Sequence, residues 1–411
     1  MKDLTKGKPS SLILSFAFPI FLANLLQLTY SLADTRIVGS FLGEDALAAV
    51  GSTSTVSNLI IGFLLGLANG FAIITAQRFG AKDIKGMKKS FAASILLGTG
   101  ISIVLTVLGM IFKNTLLGFL NVPHNLYGAG AYIFIIIAGM TATFLYDSCA
   151  AVLRSLGDTI TPLIILLVSV ALNITGDLFF VVVLKSGVRG AAIATVLAQI
   201  IAFVICFIYM FKKYEILRLT KSDFTSLDGN LVRNMLGSGL SMGFMSSLVN
   251  IGSLTLQTAI NKLGQDIIVA HTAARKISEM FMIMFTVFGQ TMATYCGQNM
   301  GAGRIDRVKT GIKSALIYTC SWCVLTVIAS YTIGDWLIYL VTGSNNENVI
   351  RNAVNYLKFD TVFYFVTAFI CILRNAMQGL GEHIIPLVSS SLEMVGKIII
   401  CITKISTFLI L

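Results

Sequence analysis

LIILLVSVALNITGDLFFVVV, residues 163–183, decides the fold class. It is a nearly continuous apolar run of the length that crosses a bilayer core of about 30 Å as one helix. Its two strong interruptions, Asn173 and Asp177, stand four residues apart and so share one helix face. A carboxylate in hydrocarbon costs at least about 2.5 kcal/mol, so Asp177 must face a bundle interior or a wet cavity. Taken alone, it reads either as the ion-binding acid of a transporter or as a polar residue tolerated at a helix–helix contact.

The totals favour a membrane protein. Apolar residues make up 56% of the 411 positions and charged residues 12%, against about 25% charge in soluble domains. A formal charge of +11 would suit a nucleic-acid partner. The basic residues argue against one, because they cluster in short loops between apolar runs, as topology signals do. The seven cysteines are scattered. Cys320 and Cys323 form one C-x-x-C with no second pair or neighbouring histidine, so they read as small core residues. His124, His271 and His383 are dispersed, and no nucleophile–base set or phosphate loop appears. The chain is therefore not read as an enzyme, and no cofactor is expected. The first apolar run follows Lys2, Lys6 and Lys8. It is too long for a signal peptide and lacks its cleavage site, so it is expected to remain as the first helix.

Eleven spans are predicted, at 10–36, 46–76, 88–112, 127–153, 160–185, 189–211, 232–261, 266–297, 309–340, 351–378 and 384–411. The class is thus an all-α polytopic membrane protein. Alternate loops carry most of the Lys and Arg, including Arg78, Lys82, Lys85, Lys88 and Lys89, which puts the N-terminus in the cytoplasm. The longest polar connection then divides the chain into an N-terminal lobe, 1–211, a cytoplasmic linker, 212–231, and a C-terminal lobe, 232–411.

The division follows an internal repeat. LGEDALAAV (42–50) aligns with LGQDIIVAH (263–271), AQRFGAKD (76–83) with GQNMGAGR (297–304), and LGDTITPL (156–163) with LGEHIIPL (380–387). Two homologous helical halves are a transporter architecture. Only one helix fits after Pro386, so the partner of the sixth span is missing. The lobes hold six and five spans, the chain being either naturally short or a truncated product.

Three polar positions can join Asp177: Asp34 on the first span, Asn173 one turn away, and Thr195 early in the sixth span. Carboxylates, an amide carbonyl and a hydroxyl suit a proton or a hard cation such as Na⁺. In the register of the repeat, Asp34 pairs with Thr255, Asp177 with Cys401 and Asn173 with Lys397. The acids have no counterparts, so ion coupling is expected in the first half alone. Arg275 with Glu279, and Glu393 with Lys397, are spaced to neutralise each other. Asp360, beside Lys358, reads as an interfacial, solvated acid, with a second-lobe cation site as the sharper alternative. Asp147 lies on a candidate substrate path near Arg154. Gly62, Gly66 and Gly70 recur every fourth residue, as close helix packing requires. Phe21, Tyr30, Phe63 and Phe288 offer ring faces to lipophilic cations, or else are ordinary core residues.

LADTRIVGSFLGEDALAAVG (32–51), LRSLGDTITPL (153–163), LNITGDLFFV (172–181), GAAIATVLAQ (190–199) and GQNMGAGRIDRV (297–308), with the repeats above, resemble the MATE family, the multidrug and toxic compound extrusion transporters of the MOP superfamily. The resemblance covers the chain to about residue 400. It implies two six-helix lobes in a bacterial cytoplasmic membrane, a monomer, and export of organic, often cationic compounds in antiport with H⁺ or Na⁺. The family's cation-site positions match Asp34, Asn173, Asp177 and Thr195. Pro19 matches the position where the first helix bends. Tyr30, Phe63 and Phe288 are candidates for lining the substrate cleft, against the plainer reading as core or lipid-facing rings. The seventh span, GLSMGFMSSLVNIGSLTLQTAIN (239–261), carries no acid, which places the pattern nearer DinF-like and MepA-like members than NorM-like ones. A flippase for a lipid-linked precursor and a transport-impaired truncated protein are the alternatives.

Overall fold

A computed structural model describes residues 2–119, 128–225, 227–260, 265–343 and 346–408. His124 and the first two residues of the 263–271 repeat lie outside them. The described chain is helical, with no strand. Its elements are α1 (Pro9–Leu42), α2 (Glu44–Gly80), α3 (Ile84–Ile111), α4 (Lys113–Phe119), α5 (Ala129–Ser155), α6 (Ile160–Asp177) and α7 (Gly187–Lys213). After the short α8 (Lys221–Thr225) come α9 (Gly229–Ile260), α10 (Gln265–Gly301), α11 (Ile305–Thr332), α12 (Gly334–Thr342), α13 (Glu347–Val362), α14 (Tyr364–Leu380) and α15 (Ile384–Phe408).

Among the described residues, nine helices are long and apolar enough to cross a membrane, or ten if the bent pair α13–α14 counts as one span. That pair is the predicted span 351–378, broken at Phe363 with a 48° bend. The predicted eighth span, 266–297, forms as the 37-residue α10. It is not among those nine, and Arg275, Lys276 and Glu279 lie in its first half. Ile103, Val104, Leu108 and Ile111 of α3 and Ile164 and Leu167 of α6 stay exposed, as lipid-facing residues would.

The chain forms two compact units, Met1–Asp3 with Phe18–Ser247, and Leu4–Ala17 with Leu248–Leu411. The division crosses α1 just before Phe18 and Pro19. Proline has no N–H to give the helix, so α1 lacks one internal bond at this point.

In the first unit, Leu64, Leu67 and Phe71 of α2 pack with Ile137 and Phe144 of α5 and Met235 of α9. The glycine pattern explains the closeness. A Cβ on Gly66 would stand 2.5 Å from Met242 O, and one on Gly70 would stand 2.5 Å from Ser238 O. Ser238 Oγ also donates to Gly70 O at 2.8 Å. A second core joins Met87 and Phe91 of α3 to Val152 and Leu153 of α5 and Cys206 and Met210 of α7. In the second unit, Ala274 and Ile277 pack on Ile338, Val354 and Leu357, and Phe285 packs on Cys323 and Tyr364.

The repeat is written into the backbone. Lys82 (φ 59°) and Gly303 (φ 69°) adopt left-handed conformations at matching positions, and so do Gly157 (φ 82°) and Gly381 (φ 93°). The latter two end α5 and α14 where the chain must turn without a Cβ penalty. Pro162 and Pro386 then fall in the first turns of α6 and α15, where a missing N–H does no harm. Asp158 supports the start of α6 by accepting from Thr161 N at 3.0 Å and Thr161 Oγ1 at 2.7 Å.

Candidate functional site

The site lies within the first unit and is built on α1, α6 and α7. On α6 the apolar Ile164 and Leu167 are exposed, while Ser169, Asn173 and Asp177 are buried. Polar spacing at every fourth residue thus turns one stripe of α6 inward. Asp177 is fully buried and Asn173 is 3% exposed. Gly176 allows this closeness, since a Cβ there would sit 3.0 Å from Ala194 Cβ on α7.

Asn173 organises the cluster. With its amide nitrogen towards Asp177, it donates to Asp177 Oδ2 at 2.9 Å. Its oxygen then accepts from Thr195 N at 3.1 Å and Thr195 Oγ1 at 3.2 Å. The hydrogen-bond network assigns that orientation, because the opposite one would set acceptor against acceptor. Thr195 Oγ1 also meets Ala191 O at 3.1 Å and the Tyr30 hydroxyl at 3.5 Å.

The carboxyl groups of Asp34 and Asp177 stand within hydrogen-bonding range of each other. Asp34 Oδ1 and Asp177 Oδ1 are both buried without a hydrogen-bond partner. Ionised carboxylates only accept, so a proton or a cation is what can join them. Hard oxygen donors of this kind fit either H⁺ or Na⁺.

The structure therefore brings Asp34, Asn173, Asp177 and Thr195 together and adds Tyr30. It also adds Tyr132 of α5, close enough to feel the charges of Asp34 and Asp177. Sequence reasoning passed over this residue. Its one signal was a phenol among apolar residues, shared with Tyr146 on the same helix, and no spacing ties it to Asp34. A second feature was illegible: the turn after Asp177, Leu178–Val183, is a π-helix. Such wide turns inside α-helices recur at functional sites.

The remaining candidates lie as follows. Pro19 is buried within α1. Phe63 packs edge-on against Phe244 at 5.3 Å, and Phe288, 2% exposed, lies 5.8 Å from Tyr318. Asp147 is half-buried, while Arg154 donates to Asn69 Oδ1 at 3.2 Å. Asp360 is not simply solvated. Its Oδ2 accepts from Ser278 Oγ of α10 at 2.8 Å and from Tyr364 OH, four residues on, at 3.0 Å.

The MatE family model matches residues 19–179 and 241–403, most of the chain. The chain belongs to the MATE family. The two matched stretches are the two repeats, and the first ends two residues beyond Asp177. Membership makes this MATE protein a membrane transporter rather than an enzyme. It is 28% identical over 384 residues to the Bacillus subtilis protein named "Probable multidrug resistance protein YpnP", covering 92% of this chain and 84% of that one. It is 23% identical over 386 residues to the Thermotoga maritima protein named "Probable multidrug resistance protein NorM", covering 92% and 81%. A solved MOP-superfamily transporter from Pyrococcus furiosus superposes with a TM-score of 0.89 at 22% identity, covering 98% of this chain and 91% of that one. That likeness concerns the fold.

Proposed function

We propose that this MATE protein exports organic, often cationic compounds in exchange for protons or sodium ions. The carrying observation is the contact between the Asp34 and Asp177 carboxyl groups, each with one buried, unpartnered oxygen. Two charged carboxylates in contact repel each other, so one site binds a small positive charge and loses it when the surroundings rewet. The direct carboxyl–carboxyl contact favours a shared proton. Asn173 and Thr195 hold Asp177 in place through neutral hydrogen bonds, and Tyr30 offers a ring face to a lipophilic cation.

Exchange follows from differential affinity. The ion-loaded cluster stabilises one arrangement of the helices and the organic compound stabilises the other, so each expels its rival. Pro19 is the hinge in this reading, since α1 lacks one internal bond there and changes compact unit beside it. The lobes are residues 1–211 and 232–411, joined by a cytoplasmic linker, 212–231. The protein works as a monomer in the bacterial cytoplasmic membrane with its N-terminus inside. The names of the Bacillus and Thermotoga relatives support the multidrug reading.

The test is ethidium efflux from cells making Asp177→Asn. Loss of efflux with normal membrane levels supports the assignment, and unchanged efflux removes the acid from the mechanism.

A further inference from the structure

The second unit holds a buried charged cluster of opposite sign. Arg374 of α14 is 8% exposed. Its Nη2 donates to Ser389 Oγ at 3.0 Å and to Glu393 Oε2 at 3.1 Å. Lys397 Nζ, one turn beyond, donates to Glu393 Oε1 at 2.8 Å. Two cations thus share one carboxylate, and both of its oxygens are occupied. The triad keeps one net positive charge, and Arg374 Nε is buried with no hydrogen-bond partner.

The exposed apolar residues of α15 centre on the face of Ile384, Val388, Leu392, Val395 and Ile399, with Ile385 and Ile400 at its edge. Ser389, Glu393 and Lys397 recur every fourth residue along that edge, where they meet Arg374 of α14 and the Gly252 region of α9. Glu393 and Lys397 nonetheless keep about a third of their side-chain surface open, 34% and 32%. The Lys397 stem lies along α9, where a Cβ on Gly252 would sit 3.0 Å from Lys397 Cδ. An uncompensated positive charge is costly away from water unless an anion joins it. The repeat sharpens the contrast, because Lys397 occupies the position matching Asn173 of the cation cluster.

We propose that Arg374 and Lys397 form a binding site for an oxyanion, a carboxylate or phosphate, carried by an amphiphilic molecule. Arginine offers a planar fork suited to such groups, lysine adds a point charge, and Glu393 holds both in position while lowering the net charge. The site is independent of the Asp34–Asp177 cluster and of the exchange read from it.

Equilibrium binding to the purified full chain in phosphatidylcholine nanodiscs tests this. Three probes share one apolar body: pyrenebutyrate, pyrenebutanol and pyrenebutylamine. The carboxylate should bind about tenfold more tightly than the alcohol, and the amine most weakly. Lys397→Gln should remove the preference, whereas Glu393→Gln, which raises the local charge, should increase it several-fold. A merely structural ion pair would make both variants weaken binding together, or change stability alone. Phosphatidylglycerol in the nanodisc separates the sources: loss of pyrenebutyrate binding assigns the site to a lipid headgroup, and its persistence assigns it to a soluble organic anion. Equal affinity for the carboxylate and the alcohol, or shifts of the same sign in the two variants, overturns the proposal.

Discussion

Asn173 Nδ2 donates to Asp177 Oδ2 at 2.9 Å from one turn earlier on α6, while the amide oxygen is held by Thr195 of α7. One neutral side chain therefore fixes the buried acid and ties its helix to the next. Asn173→Leu should lower ethidium efflux at least tenfold and destabilise the protein by about 1–3 kcal/mol, because a buried carboxyl loses its donor. Efflux assays and thermal unfolding in detergent check the two effects separately. Wild-type efflux in this variant would show that the acid needs no positioning.

Close approach of α2 and α9 rests on the absence of two side chains. Gly70→Ala puts a Cβ within 2.5 Å of Ser238 O and must push backbone apart. We predict a loss of about 1–3 kcal/mol. Gly100→Ala is the matched control, since nothing lies within 4 Å of its Cβ and α3 gains up to about 1 kcal/mol of helix propensity. Thiol-reactive dye labelling during heating reads both, because Cys149, Cys206 and Cys296 are buried until unfolding.

The contrast between those glycines bears on what a sequence reveals. The helices were legible because hydrocarbon imposes long apolar runs, and the repeat because strings such as LGDTITPL and LGEHIIPL recur at matching positions; the left-handed turns at Gly157 and Gly381 then follow that match. Asp34, Asn173, Asp177 and Thr195 were legible because buried oxygens are costly and hence rare in such runs. Tyr132 and the π-turn at Leu178–Val183 were not, since aromatic residues are common in spans and a π-turn leaves no periodic trace. Asp360, read as interfacial with a second-lobe cation site as the alternative, is half-buried; its bond from Ser278 crosses from α10 and no spacing along α13 marks it.

Outside the membrane spans, one buried contact makes stability depend on pH. The Tyr214 hydroxyl donates to Asp158 Oδ2, beside the bonds from Thr161. Burial pushes the Asp158 carboxyl up, but the Thr161 and Tyr214 hydroxyls and the Lys213 charge outweigh it, so its pKa falls below the ordinary range. Burial and the Asp158 bond push Tyr214 up to about 12. A lowered carboxyl stabilises above its unfolded pKa of about 3.9, and that gain is lost as pH falls through the folded value. A raised phenol stabilises below about 10 and loses the gain as pH climbs towards its folded value. Tyr214→Phe should cost about 1.5–3 kcal/mol at neutral pH and flatten both limbs of a melting-temperature profile. An unaltered profile would contradict the coupling.

Arg307 fastens the N-terminal segment to the second unit. Its Nη1 donates to Gly7 O at 2.8 Å, its Nη2 to Leu4 O at 3.2 Å, and its Nε to Asn299 Oδ1 at 3.0 Å. Leu4 N–H also donates to Gln298 Oε1 at 2.9 Å. Arg307→Ala removes three charge-assisted bonds, so the segment should open more often and trypsin should cut after Lys6 several-fold faster. Mass spectrometry of timed digests reads the rate, and equal rates would show that the Arg307 bonds do not limit opening of the segment.

Ethidium transport in proteoliposomes, driven by a proton gradient and then by a sodium gradient, tests the ion-coupling claim most directly. Wild-type protein should respond to at least one gradient, and Asp34→Asn and Asp177→Asn should respond to neither while folding normally. Gradient-driven transport that survives the loss of both carboxylates would contradict the account.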